Sequence, residues 1–192
     1  MLSLTTKFGG LFAAAALAIG LAGAAPAATL SWSALPATST PNPLATTTVG
    51  TVIENVAGTM PGLRRSPWAN NSPNVFTSVA FGYAEYAFGT LKSSLSFVWG
   101  SPDMMNSVAF YRAGTLIDTI PGFGNGTNIA LPALLATAIG DGMGFDTVRF
   151  TAPRTAFEYA SVEVAAIPVP AAGLLLLTAV GGVAALRRRK SA

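Results

Sequence analysis

The sequence predicts a mainly β chain: an antiparallel β-sandwich of jelly-roll type with one short helix, a signal helix ahead of it and a transmembrane helix behind. Three observations lead there. From Val75 to Val164, short runs of alternating apolar and polar residues are separated by Gly, Pro, Asn and Asp clusters. Phe8–Ala24 and Ala171–Leu186 are uncharged apolar stretches without that alternation. Cations gather at the two ends. Three parts follow: a signal peptide (1–27), an extracellular β domain (28–165) and a C-terminal sorting region (166–192).

Residues 1–27 place Lys7 first, then the apolar run, then Ala25-Pro26-Ala27 before Ala28. This is the order of a secretory signal peptide, with the small residues Ala25 and Ala27 at −3 and −1 if cleavage follows Ala27. A buried N-terminal helix would not need the three features in that order. Residues 29–67 hold Pro36, Pro41, Pro43, Pro61 and Pro67 among Thr, Ser and Ala, so they are expected to be extended or loop-rich. The β-branched content of Thr47 to Val56 predicts a strand.

In the next stretch, Leu95, Phe97 and Trp99 share one face of a strand because side chains alternate with period two. Gly100-Ser101-Pro102-Asp103 ends it, and Val108 with Phe110 opens another apolar face. Leu116 to Ile120 continues after Ala113-Gly114, and Pro121 to Gly126 reads as a loop. Leu131, Leu134, Leu135 and Ala138 fall at i, i+3, i+4 and i+7, with Pro132 near the start and Gly140 just beyond, which predicts the short helix. Two late strands fit Phe145 to Phe150 and Phe157 to Val164.

Charge and composition exclude several function classes. The chain carries +3 overall, but Lys7 and the run Arg187, Arg188, Arg189, Lys190 lie outside the domain, leaving six cations against eight acidic residues within it. The domain is therefore net acidic and shows no nucleic-acid footprint. With no Cys and no His, it has no disulfide, thiolate nucleophile, Cys/His metal site or Ser-His-Asp triad. Glu158 and Glu163, read as a strand pair for glycoside hydrolysis, fall at odd spacing and so on opposite faces. Gly122-x-Gly124-x-Gly126 lacks the order of a nucleotide-binding fingerprint and reads as a turn. Asp141 and Asp146 do not have EF-hand spacing. The domain is expected to be non-enzymatic, with no cofactor.

The C-terminal region has three parts in a set order. Ile167-Pro168-Val169-Pro170-Ala171 cannot continue a strand into a helix and so forms an extended grip for a processing enzyme. The sixteen uncharged residues that follow, Ala171 to Leu186, span about 24 Å as a helix, just enough to cross with snorkelling arginines. The four cations Arg187, Arg188, Arg189 and Lys190 then act as a cytoplasmic stop and leave the β domain outside. A buried C-terminal helix would not suit four consecutive cations at its end.

On these residues the chain resembles the VPLPA-CTERM proteins, a branch of the PEP-CTERM exosortase substrates of Gram-negative bacteria. Ile167 stands where that motif has Val, and Val169 where it has Leu. The resemblance covers about 25 residues and implies an inner-membrane-tethered precursor that is cleaved by an exosortase-like membrane protease. The product is then passed to the cell surface or the exopolysaccharide matrix. Ser96 to Tyr111 and Ala156 to Val162 also resemble strand–turn–strand and closing-strand segments of PEP-CTERM surface domains, although Tyr159-Ala160-Ser161 lacks their Asp-Asn pair. The expected partners are the Sec translocon and signal peptidase, the exosortase-like protease and exopolysaccharide, and no nucleic acid.

For ligand contact, Trp99, Asp103 and Asn106 are the first candidates, since a loop acid and amide beside an aromatic ring suit a sugar hydroxyl or calcium. The competing reading is a turn in which Asp103 and Asn106 bond local backbone. Trp32, Trp68, Tyr83, Tyr86, Tyr111 and Tyr159 add aromatic faces, most of them assigned to core and rim packing. The expected role is an exported envelope or matrix protein, and the alternative is a lectin-like carbohydrate-binding module.

Overall fold

The computed structural model describes residues 28–68, 72–100, 102–123, 134–139 and 143–167. The expected signal segment, including Ala25 and Ala27, lies outside them, as do Pro168, Val169, Pro170, Ala171, the expected transmembrane stretch and Arg187, Arg188, Arg189 and Lys190. Eight strands occur: β1 (Thr29–Ser33), β2 (Thr47–Ala57), β3 (Val75–Trp99), β4 (Ser107–Arg112), β5 (Thr115–Pro121), β6 (Leu134–Ile139), β7 (Phe145–Ala152) and β8 (Phe157–Ala166). They join in one curled sheet of order β1-β6-β3-β7-β4-β5, with β2 and β8 also paired to β3. Among the described residues there is no helix, and the strands are not divided into two separately hydrogen-bonded sheets.

The organising element is β3, whose 25 residues exceed the usual strand of 3–10. It is two arms joined by a bend. Pairing with β7 breaks between Ala87 and Lys92, around Gly89, whose φ of +68° a glycine adopts without a Cβ penalty. The first arm pairs with β2 and β7, and the second with β6. β8 touches both arms, with Tyr159 opposite Thr77 on one and opposite Trp99 on the other. The core fills the space so enclosed. Val79, Ala84 and Tyr86 come from the first arm, and Leu95, Phe97 and Trp99 from the second. They meet Val148 and Phe150 of β7, Phe110 of β4, and Phe157 and Tyr159 of β8. The shared face predicted for Leu95, Phe97 and Trp99 is present, and all three are fully buried.

The predicted helix is a strand. Leu134–Ile139 forms β6, which pairs with β1 on one side and β3 on the other, while Leu131 and Pro132 lie outside the described residues. Local preference favours helix, since Ala and Leu are strong helix formers, but pairing on both edges overrides it. Size fixes the choice of residue. Ala136 sits opposite Phe97 and Ala138 opposite Leu95, both alanines fully buried, so small side chains leave room for the large ones across the pair.

The buried Asn42 amide is a main tie of the Pro-rich segment to the sheet. The backbone N–H of Asn42 donates to Asn55 Oδ1 at 2.7 Å, and its side-chain Nδ2 donates to Thr77 Oγ1 at 2.9 Å and to the Tyr159 carbonyl at 3.3 Å. Its Oδ1 accepts from the Val162 N–H at 3.0 Å. Beside it the hydroxyls of Tyr86 and Tyr159 lie 2.9 Å apart. Burial pushes the Tyr86 phenol up to about 12, and burial, with Tyr86 alongside, raises Tyr159 well above its ordinary value. A phenol held neutral by the fold contributes stability below the unfolded value of 10.0 and loses it as pH climbs through the folded value. Base unfolding is therefore expected to set in above about pH 10. Ultraviolet titration alongside circular dichroism checks this: a phenolate step should coincide with loss of the β signal. A native spectrum with all four tyrosines ionised would contradict it.

Candidate functional site

Two of the three candidate ligand residues prove to be structural. Trp99 is 0% exposed, stacked on Phe157 at 5.2 Å and 24°, with Phe97 at 5.4 Å and Trp32 at 5.8 Å. It is a core residue and offers no face to a ligand in solvent, because the second arm of β3 turns it inward under β8. Asn106 is also buried. Its N–H donates to the Asp103 carbonyl at 2.9 Å, its carbonyl accepts from the Gly122 N–H at 2.7 Å, and its Nδ2 donates to the Ala156 carbonyl at 3.2 Å. A Cβ on Gly122 would stand 1.8 Å from the Asp103 carbonyl oxygen, so only glycine fits that approach. This is the turn reading, with the amide spent on backbone. Asp103 itself is exposed, with its carboxyl raised by partial desolvation.

Two of the other acids, Asp146 and Glu158, are engaged. Asp146 accepts from the Ala113 N–H at 2.7 Å and from Thr147 Oγ1 at 2.9 Å, bracing the β4–β5 turn. Glu158 is 3% exposed and accepts from the Arg65 N–H at 2.9 Å, whereas Glu163 is exposed. Ser161, at φ +52°, breaks the alternation between the two glutamates, so spacing alone does not assign their faces. One is a buried structural acid and the other a surface acid. Among the described residues no group of three or more His, Cys, Asp or Glu is placed to hold a metal.

A different cluster stands on the outer face, where β3, β7 and β4 lie side by side. Glu85 pairs with Arg149 across β3–β7, and Arg149 with Ala109 across β7–β4. The guanidinium lies 4.2 Å from the Tyr83 ring centroid and 4.9 Å from that of Tyr111. Its Nη2 and Nε reach Glu85 Oε2 at 2.7 and 2.9 Å. Partial burial would lower its pKa, but the Glu85 hydrogen bond and the neighbouring charges outweigh that, and the net shift is upward. The arginine stays a cation and its charge is matched by Glu85. Thr147 and Thr151, on the same face of β7, are also part exposed.

Chemically, this is a nearly neutral platform with two aromatic rings, a planar donor fork, a carboxylate acceptor and flanking hydroxyls. That combination matches the apolar faces and equatorial hydroxyls of a sugar better than a metal or a nucleophilic substrate. Sequence reading had Tyr83 and Tyr111 among its aromatics but not Arg149 or Glu85. The available signal was the polar-out alternation of Thr147, Arg149 and Thr151 on β7, which gains meaning only once β7 is set between β3 and β4. Ile167, the first residue of the expected sorting motif, is half-buried, and its Cδ1 lies 2.5 Å from where a Cβ on Gly144 would be, so it is seated on the domain. Comparison of the chain with known protein families, curated proteins and solved structures finds no match.

Proposed function

We propose that this chain is an exported, non-enzymatic envelope or exopolysaccharide-matrix protein, released from its membrane tether by an exosortase-like protease. The observation that carries this reading is where the fold ends. β8 contributes Phe157 and Tyr159 to the core, becomes exposed at Glu163, Ala165 and Ala166, and passes through Ile167 directly to Pro168. Among the described residues the buried core of β8 thus ends at Val162, with Val164 packed against it, ahead of the proline-rich segment. The order of prolines, apolar run and cations supports cleavage of that tail.

A second reading, a lectin-like module, is favoured by the Tyr83–Arg149–Tyr111 face. The two combine readily, since a matrix protein that holds glycan needs such a surface. In retention on exopolysaccharide or a glycan array, Y83A and Y111A are each expected to weaken binding about fivefold to tenfold, the worth of roughly 1 kcal/mol of stacking. Both variants should keep the β spectrum of the wild type, because both rings are part exposed on the outer face. Unchanged retention by the double variant would remove the lectin-like reading and leave the matrix one.

A further inference from the structure

β1 and β5 stand at opposite ends of the sheet order, yet they meet. β1 pairs with β6 and β5 with β4, and no backbone ladder joins β1 to β5 among the described residues. Among the described residues, two contacts close that seam. Trp32 on β1 packs edge-on against Phe123, just past β5, at 4.9 Å. The nitrogen of Ala28, one residue ahead of β1, donates to Asp118 Oδ2 on β5 at 2.5 Å. The other carboxylate oxygen of Asp118 accepts from the Thr119 N–H at 2.7 Å, which fixes the orientation of the group.

Ala28 is the residue that follows the Ala25-Pro26-Ala27 cleavage signal. We infer that Asp118 is the receptor for the α-ammonium group created at Ala28 by signal peptidase, so that maturation itself locks the seam between the two ends of the sheet. The inference rests on cleavage after Ala27, which belongs to the proposed function. Hydrolysis of the Ala27–Ala28 bond puts the hydroxyl of water on the Ala27 carbonyl carbon and its hydrogen on the Ala28 nitrogen, which takes one more proton from solvent at neutral pH. A neutral amide with one hydrogen becomes a cation with three. The bond to the Asp118 carboxylate, charged on the acceptor side alone before cleavage, then becomes an ion pair with charge on both sides and is strengthened accordingly. Before cleavage the seam has the weaker bond, which leaves the chain easier to open while it is still being exported.

The surroundings suit this role. β1 and β6 carry no ionisable side chain, and Asp118 is the one such group on β5. On β4, the strand beside β5, Tyr111 lies against Arg149, and Arg112 Nε donates to the Gly144 carbonyl at 2.6 Å. The ammonium group therefore has Asp118 as its facing charge among these strands. A paired ammonium has its folded pKa raised, so its contribution to stability is complete below the unfolded value of about 7.7–8.0 and is lost as pH rises through the folded value.

The test uses protein exported from the full-length gene and solubilised in mild detergent. Mass spectrometry of the N-terminal peptide reads where the chain starts, and its rate of reaction with an amine-acylating reagent across pH reads the α-amine pKa. The expected result is a terminus at Ala28 with an amine pKa about one unit above the free range, returning to that range in D118N. Between about pH 7 and pH 9.5 the wild type should also lose several degrees of melting temperature that D118N does not lose. A terminus at Ala28 with an ordinary amine profile in the wild type overturns the latch and leaves cleavage standing. A chain that starts elsewhere overturns the cleavage reading, and the latch with it.

Discussion

Replacing Trp99 with Ala is expected to lower the urea midpoint of the domain sharply. The ring is fully buried and lies against Trp32, Phe97 and Phe157, whose centroids are all within 5.8 Å. Removing it opens a cavity where β1, the second arm of β3 and β8 meet, a change that costs about 3–5 kcal/mol for a buried Trp. Native domains hold roughly 5–15 kcal/mol in total, so this one change takes a large share. W99F keeps a ring in the same place and should lose noticeably less. Urea midpoints of the three proteins order the effect as wild type, then W99F, then W99A. The experiment also separates two roles for the residue. A W99A protein that melts like the wild type but no longer binds glycan would return Trp99 to the ligand face, against the burial described above.

The parts of the fold that could be read from sequence are those where alternation runs unbroken. β4, β5 and β7 fall close to their predicted spans, because the buried Val108 and Phe110 in β4, and Val148 and Phe150 in β7, are each spaced by two, with turn residues between the strands. β3 shows the opposite case. Phe81, at φ +54°, puts an extra residue opposite the Val49–Thr51 stretch of β2 and is left 64% exposed. Inward positions therefore pass from odd-numbered Val79 to even-numbered Ala84 and Tyr86, then return to odd at Leu95 after the bend around Gly89. Each irregularity moves every later side chain to the other face, so no single period describes the strand. β6 was hidden for a different reason. Its Leu and Ala residues prefer helix locally, and only the size of Phe97 and Leu95 across the pair explains why alanine is needed.

The candidate site was less legible still. Arg149 gains its role from Tyr83 and Glu85, more than sixty positions earlier, and from Tyr111 on a third strand. Asn42 likewise bonds to residues as far away as Val162, so a polar residue in a Pro-rich stretch reads as loop until its partners are placed. What sequence does reveal is the order of segments along the chain. Sorting signals are read in that order by enzymes that meet the chain linearly, so their logic survives without a fold.

The tail provides the largest expected effect on function, because proline and charge fail in different ways there. Replacing Arg187, Arg188, Arg189 and Lys190 with neutral residues removes the positive-inside determinant, so the apolar stretch should lose its fixed orientation or slip across the membrane. Replacing Pro168 and Pro170 with Ala leaves the span and the charges intact. Each proline interior to a helix costs about 3 kcal/mol relative to alanine, so the double change lets helix extend back toward β8. Ile167, seated against Gly144, limits how far that helix can run, and the segment from 168 to 171 becomes the stretch that changes. The proline variant should therefore insert normally, resist cleavage and accumulate at full length in the inner membrane. The wild type from the cell surface should lack residues beyond about position 172, just past the two prolines. Immunoblots of fractionated cells with mass spectrometry of the C-terminal peptide distinguish the cases. If the apolar stretch were an anchor alone, the proline variant would match the wild type, and Leu174 to Leu186 would be found intact in mature protein, leaving a β domain tethered to the membrane with no sorting step.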